Sequence, residues 1–357
     1  MRKTPLYEKH CSLNAKIVNF NGWALPVQFD GIVQEHLHTR STASMFDCSH
    51  MGEYRFKGAD AVERFGREVI SDPSKIPVGR CRYGAILNES GGILDDLITF
   101  RMSEDELYVV TNAGPIESVT ERFCADNPGS EHVSYATAKI DIQGPASREH
   151  LLSAGFEATE SLKYFNCLWT TWRGHEILLS RTGYTGELGY ELFMANELAE
   201  EVWDVFHTTD GIRPAGLGAR DTLRTEVGYA LSGQDFDESV TPLEAGMEGF
   251  VAWDTDFVGK SALEAKREAG GPRYFVAVRT RSRRAPRHGF EIKGGGNVVG
   301  AVTSGTFGPS LGEGVGLARV DGEYASAGAK LSAGPKNIEL EVADIPIFKD
   351  GSCRVKV

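Results

Sequence analysis

The run Asn88-Glu89-Ser90-Gly91-Gly92-Ile93-Leu94-Asp95-Asp96-Leu97-Ile98 restricts how this chain can fold more than any other stretch. A polar turn and a Gly-Gly pair lead directly into an apolar strand that carries two adjacent carboxylates. Neighbouring side chains of a strand point to opposite faces. Asp95 and Asp96 therefore cannot both face water if the strand is central to a sheet. Burying an unmatched carboxylate costs on the order of several kcal/mol. A polar ligand or a hydrogen-bonding partner in a pocket would offset that cost for one of them. The plainer reading is a hairpin turn with one capping Asp and one exposed Asp.

The flanks give this run a context. Residues 82–87 read as a strand entering the turn, and 95–101 pairs back on it as a hairpin. Residues 106–113 make a third strand and Ile116 to Cys124 a helix. A β-β-β-α run of this kind fits an α+β sheet with helices on one face. Upstream, Ile32, Val33, Leu37 and Ala43 recur near helical spacing, so 32–44 is expected to be a helix. His36 and His38 are two apart on it, face different ways and cannot share a metal; no metal site is expected. Trp23 and Phe29 read as core. The segment 45–58 reads as strand material around a polar kink, Asp47-Cys48-Ser49-His50. Ser49 and His50 invite a nucleophile-and-base pairing. Sequence neighbours usually point apart, however, and no GxSxG elbow surrounds them. A polar loop lining a cleft is the better reading.

Further along, 137–145 is a strand ending in a turn, and a helix starts after Pro145. A strand at 176–180 opens onto Arg181-Thr182-Gly183-Tyr184-Thr185-Gly186-Glu187-Leu188-Gly189-Tyr190-Glu191. Its glycines let the backbone turn tightly or approach a ligand, and they do not match a phosphate loop. Glu191 stands within an apolar stretch and needs a partner. An amphipathic helix follows at 198–207, and a second begins near Gly218 with Arg220 and Arg224 on one face. Those arginines either form a solvated stripe or meet a carboxylate, with Glu191 or an acidic ligand as candidates. Gly270-Gly271-Pro272 marks a boundary. Beyond it come short alternating strands with glycine turns, at 274–279, 289–292, 298–303, 314–319 and 338–342, which read as a small β-barrel. The dense basic cluster from Arg279 to His288 is either a solvated loop or a dock for an acidic partner.

With 357 residues, 41% of them hydrophobic, the chain can bury sizeable cores in two or three domains. A net charge of −12 argues against nucleic acid or an anionic membrane as the main partner. The six cysteines are scattered with no CxxC pair, which points to reduced thiols in a cytoplasmic protein. No stretch approaches the roughly 20 apolar residues of a membrane span.

Taken in order, these pieces resemble the family of the glycine cleavage system T protein, an aminomethyltransferase. The resemblance rests on Phe20-Asn21-Gly22-Trp23 with Pro26, Phe46 to Gly52, Gly91 to Leu97, Arg181 to Glu191, Ala219 to Arg224, and Thr303 to Phe307 with Pro309-Ser310-Leu311. It covers nearly the whole chain, and the ordered set is far more specific than any single motif. It implies an α+β fold: mixed-sheet folate-binding domains around a central cavity, plus a small C-terminal β-barrel domain. Residues 1–270 would form the folate-binding region, as two interleaved α+β subdomains, one including about 53–135; 273–357 would form the barrel. The implied cofactor is tetrahydrofolate, and the implied partner is the lipoyl-carrier H protein, which presents an aminomethyl group on a dihydrolipoyl sulfur. Asp96 corresponds to the family's essential aspartate. By the same matching Asn112 and Glu191 would bond the pterin edge, Tyr83, Met51 and Tyr184 would pack its faces, and Arg220 would line the site. Cys48 stands where relatives often have Val. The tail from Phe348 to Arg354 lacks a tyrosine that some relatives carry. Two rival readings use similar scaffolds. One is a folate-dependent demethylase, sharing the pterin residues but not the donor channel. The other is a non-catalytic folate-binding accessory protein of iron–sulfur maturation, whose Lys-Gly-Cys-Tyr signature is replaced here by Arg181-Thr182-Gly183-Tyr184.

Overall fold

The computed structural model describes residues 1–124, 129–270 and 273–356. Two sheets lie face to face at its centre. One has five antiparallel strands in the order Arg80–Leu87, Ile93–Arg101, Glu106–Thr111, Gly52–Lys57, Ser130–His132. The other has six, in the order Cys167–Trp172, His175–Ser180, Gly189–Ala195, Thr137–Gln143, Ala43–Asp47, Ile212–Pro214, the last pair parallel.

Each sheet buries its two faces differently. Behind the five-stranded sheet, Tyr54, Phe56, Leu97 and Val109 pack against Phe65, Val119 and Phe123 of two helices. Behind the six-stranded sheet, Ile140, Ile142 and Leu192 pack against Leu151, Val202, Trp203 and Phe206 of two others. The remaining faces meet through an apolar layer of Phe100, Tyr108, Val110, Leu178 and Phe193. Its rings lie edge-on, with Phe100–Phe193 centroids 5.8 Å apart. The chain is therefore α+β with mixed sheets, as expected.

The hairpin forms as the sequence predicts, with Ile86 opposite Asp95 and Ala85 opposite Asp96. Both turn glycines are required, for different reasons. Gly91 sits at φ +80°, where a side chain is strained. At Gly92 a Cβ would stand 1.8 Å from the Glu238 carbonyl oxygen. Asn88 Oδ1 closes the turn by accepting from the Ser90 and Gly92 amides at 3.0 and 2.9 Å.

The C-terminal part closes into a six-stranded barrel, from Tyr274–Arg279 to Ile338–Ala343. It includes the strand Lys330–Ala333, which the alternating pattern does not reveal. Gly271 and Pro272 of the expected boundary lie outside the described residues. Most of the basic cluster is paired internally. Arg279 meets Glu313 at 2.5 Å, Arg281 meets Glu341 at 2.9 Å, and Arg283 lies 4.4 Å over the Phe307 ring. Among the described residues no helix is long and apolar enough to cross a membrane.

One helix departs from expectation. It ends at Ser41, and Ala43–Asp47 is a central strand. Its polarity is also inverted: Glu35, His36 and Thr39 are buried, while Val33 and Leu37 are 41% and 45% exposed. The inward polar groups are all matched. Glu35 Oε1 accepts the amides of Phe29, Asp30 and Gly31, and its Oε2 accepts that of Gly216. Arg40 reaches Glu187 at 2.8 Å and Glu226 at 3.1 Å.

Candidate active site

The sequence-predicted residues converge where the two sheets face one another. Strand alternation turns Tyr83, Asp96, Ile98 and Val110 to the same side of the five-stranded sheet, where Ile98 and Val110 join the apolar inter-sheet layer and Tyr83 packs beside it against Phe236, Met247 and Phe250. Asp96 accepts from the Tyr83 hydroxyl on Oδ2 at 2.8 Å and from Asn112 Nδ2 on Oδ1 at 2.6 Å. Each oxygen keeps a lone pair for a further donor. Burial raises the Asp96 carboxyl above the usual range, against the pull of Tyr83 and Asn112. Asp96, Tyr83 and Asn112 all keep partial exposure, so a ligand can reach them. The plainer hairpin reading of the pair does not hold: Asp95 is fully buried and Asp96 half-buried, and both are hydrogen-bonded.

The opposite wall comes from the six-stranded sheet. Asp141 and Glu191 stand directly across from each other in the ladder. Two carboxylates so placed would repel, and a buried lysine lies between them. Lys139 Nζ is 2.7 Å from Asp141 and 3.1 Å from Glu191. Thr182 Oγ1 donates to Glu191 at 2.8 Å. Glu191 thus has the partners that its apolar surroundings demand. Burial leaves its pKa raised even so, with Lys139 opposing. Burial likewise opposes charge on Asp141, but Lys139 and Arg220 outweigh it and hold that carboxyl low.

Arg220 meets Asp141 at 3.0 Å, so the carboxylate that answers it is Asp141 and not Glu191. Its guanidinium also lies 5.1 Å over the Tyr184 ring. Tyr184 connects the two walls. Its hydroxyl donates to the Ala230 carbonyl, and the Asp96 charge adds to the burial that pushes its pKa up. Met51 packs against both the inter-sheet layer and the Phe46, Ala219 and Leu223 cluster. Arg224 turns away from the stripe that its spacing allowed. It is buried against Asp235 at 2.7 Å.

The glycines of 183–189 serve internal packing. A Cβ on Gly183 or Gly189 would lie 2.0 or 2.1 Å from Gln143 Oε1, and one on Gly186 2.3 Å from Val227. No catalytic dyad forms at the polar kink. Ser49 Oγ contacts the Lys139 carbonyl, and burial drops His50 to about 4. Cys48 contacts Asp141 at 3.3 Å, and burial pushes its thiol up, so it is no thiolate. A groove of about 280 Å³ lies elsewhere, lined by Arg2, Trp23, Ser49, Tyr135 and Asn196 among others, and it includes none of the predicted site residues.

Sequence reasoning missed Lys139, Asp141 and Ser232. The first two carried a legible signal: Lys139, Asp141 and Gln143 alternate with Ala138, Ile140 and Ile142 in one strand. Polar residues at period two in a strand with both faces covered mark a polar seam inside the molecule. Ser232 had no such signal, since its partner Asp95 is remote in sequence.

The similarity to known proteins extends over nearly the whole chain. A family model described as the GCVT N-terminal domain matches residues 6–255, and one described as the glycine cleavage T-protein C-terminal barrel domain matches 273–349. The chain is 39% identical over 360 residues to the aminomethyltransferase of Halothermothrix orenii, covering 98% of this chain and 100% of that one. It is 39% identical over 368 residues to that of Thermotoga maritima, covering 100% of both. The crystal structure of glycine cleavage system aminomethyltransferase T from Bartonella henselae superposes with a TM-score of 0.92 at 30% identity, covering 98% of this chain and 99% of that one.

Proposed function

This chain belongs to the glycine cleavage T-protein family, an enzyme family of aminomethyltransferases, and from that premise we propose which reaction its site performs. The donor is an aminomethyl group on a dihydrolipoyl sulfur of the lipoyl-carrier H protein. The acceptor is tetrahydrofolate. The methylene passes to the folate, the nitrogen leaves as ammonia, and the carrier is left as its reduced dithiol. The six free cysteines are compatible with a cytoplasmic setting. Residues 1–270 serve as the folate-binding region, and the barrel from 273 onward closes against it.

The observation that carries this reading is Asp96: a half-buried carboxylate oriented from both sides and with no cation partner among the described residues. The donor set fits a reduced pteridine. Such a ring offers N–H donors along one edge and two flat faces. Asp96, Glu191 and the Asn112 carbonyl supply acceptors; Tyr83, Tyr184 and Met51 supply faces. Bound there, the folate would supply the amine nitrogens that accept the methylene. The protein's own part is to accept hydrogen bonds at Asp96 and keep that carboxylate ionised as charge develops beside it. Tyr83 and Asn112 hold its two oxygens in place, and the apolar layer of Phe100, Phe193 and Leu178 excludes water. No nucleophilic side chain is required, consistent with the raised thiol at Cys48.

The test is ammonia release from aminomethylated carrier with tetrahydrofolate, omitting each component in turn. Asp96→Asn should keep the fold and much of the folate affinity while turnover falls by about 10²-fold or more. Unchanged turnover in that variant would remove Asp96 from its role. Activity with a methyl donor in place of the aminomethylated carrier would overturn the assignment of the donor.

A further inference from the structure

We propose that Asp95 is a positioning residue for Asp96, acting through Asn112 and held in place by Ser232 on a loop pinned to the barrel. The catalytic half of this proposal rests on the role given to Asp96 above; the clamp itself does not.

Asp95 cannot meet a ligand that reaches Asp96. It lies on the strand face opposite Asp96 and is fully buried. Its contacts nonetheless lead back to the site. Oδ2 accepts the Asn112 backbone N–H at 2.8 Å, and Oδ1 accepts Asn112 Nδ2 at 2.8 Å. A side-chain amide has two donor hydrogens. One is directed to Asp95 and the other to Asp96 Oδ1 at 2.6 Å, with a longer contact of 3.2 Å to the Asp96 carbonyl oxygen that by itself does not fix the amide plane. The network assigns the amide orientation, because a flipped amide would set its carbonyl against both carboxylates. Asn112 is thereby locked with its donors toward the pair. Loss of Asp95 frees the amide to rotate, and Asp96 then loses one of its two orienting bonds.

Ser232 completes the clamp, with Oγ 2.9 Å from Asp95 Oδ1. A hydroxyl serves a carboxyl in either protonation state, donating to the anion or accepting from the acid. The Ser232 loop is fastened by Asp235. Asp235 Oδ2 accepts from Leu231 N at 2.9 Å, Arg224 at 2.7 Å and Ser304 at 2.9 Å, while Oδ1 accepts from Thr303 at 2.5 Å. Thr303 and Ser304 belong to the barrel strand Asn297–Gly308. The same loop offers the Ala230 carbonyl to Tyr184. One segment, pinned to the barrel, therefore holds a residue on each wall of the site. The arrangement contains no cation partner for the pair among the described residues, so orientation falls to hydrogen bonds alone.

The experiment is a double-variant cycle with a readout on the free protein. Asp95→Ala should lower kcat by roughly tenfold or more, and KM for tetrahydrofolate should rise no further than it does in Asn112→Ala. Because Asp95 acts only through Asn112, the Asp95→Ala/Asn112→Ala double variant should be no slower than Asn112→Ala alone. Ser232→Ala should give a smaller loss of the same kind, and it replaces Asp95→Ala if that variant fails to fold. In the absence of any ligand, the Asn112 side-chain amide protons, followed by NMR, should lose protection from exchange in Asp95→Ala and Ser232→Ala. Multiplying kinetic effects in the double variant, or an Asn112 amide as protected in both variants as in the parent, overturns the proposal. A failure of Asp96→Asn to slow turnover would strike the reading of Asp96 instead and leave the amide result standing.

Discussion

At the scale of single residues, this site is made of carboxylates kept dry and aimed. The Tyr83 hydroxyl contributes one of two orienting bonds to Asp96. Tyr83→Phe keeps the ring and removes only that bond. A hydrogen bond to a charged group contributes about 1.5–3 kcal/mol, so turnover should fall by roughly 10- to 100-fold with the fold intact, read by steady-state kinetics beside a thermal melt. Glu53 is a different kind of residue. It is fully buried, neither side-chain oxygen has a hydrogen-bond partner among the described residues, and burial raises its pKa well above the usual range, with Lys139 opposing. The folded protein therefore holds this proton more tightly than the unfolded chain does. Its stabilising contribution is complete below the unfolded pKa of about 4.3 and is lost as pH rises toward the folded value, at up to about 1.4 kcal/mol per unit. Glu53→Gln takes up no proton. In urea titrations from acid to pH 8, the variant should gain stability relative to the parent as pH rises; a flat difference would mean that Glu53 is ionised in the fold.

At the scale of elements, pattern and partner compete. The Ile32–Ser41 helix puts its carboxylate, imidazole and guanidinium inward because each finds a matched group there. Its exposed apolar residues carry little energy as a result. Val33→Ala and Leu37→Ala should change unfolding free energy by less than about 0.5 kcal/mol. Glu35→Ala leaves the buried Gly216 amide without its acceptor and should cost about 1–3 kcal/mol, measured by the same denaturant titration. The Thr137–Gln143 strand follows its pattern more faithfully, with apolar positions toward the helices and polar ones toward the seam. Period-two alternation was legible there. Which polar side chain meets which was not, because Glu191 and Arg220 arrive from other elements.

At the scale of the whole molecule, the barrel is tied to the rest by buried polar groups. Asp235 gathers Arg224, Thr303 and Ser304, and Glu226 gathers His36, Arg40 and the Ser310 amide. Asp235→Ala removes one of the two carboxylates that meet the buried Arg224, the other being Asp221 at 2.7 Å, and should lower stability by about 1–3 kcal/mol, seen as a lower urea midpoint. It should also slow turnover, because the Ser232 loop loses its anchor.

The resemblance to a known family supplied the short list of residues around Asp96; the local sequence itself determined the hairpin, its two required glycines and the glycine-punctuated barrel strands. These follow from forces that act over a few residues: steric limits on φ, strand alternation, and the cost of burying charge. Only the tertiary structure decided that Asp141 answers Arg220, that Lys139 separates two facing carboxylates, that a helix buries its polar side, and that Ser232 reaches Asp95. Each of those pairings joins groups far apart in the chain. Their energy depends on a dry interior that exists only once the sheets have closed on each other.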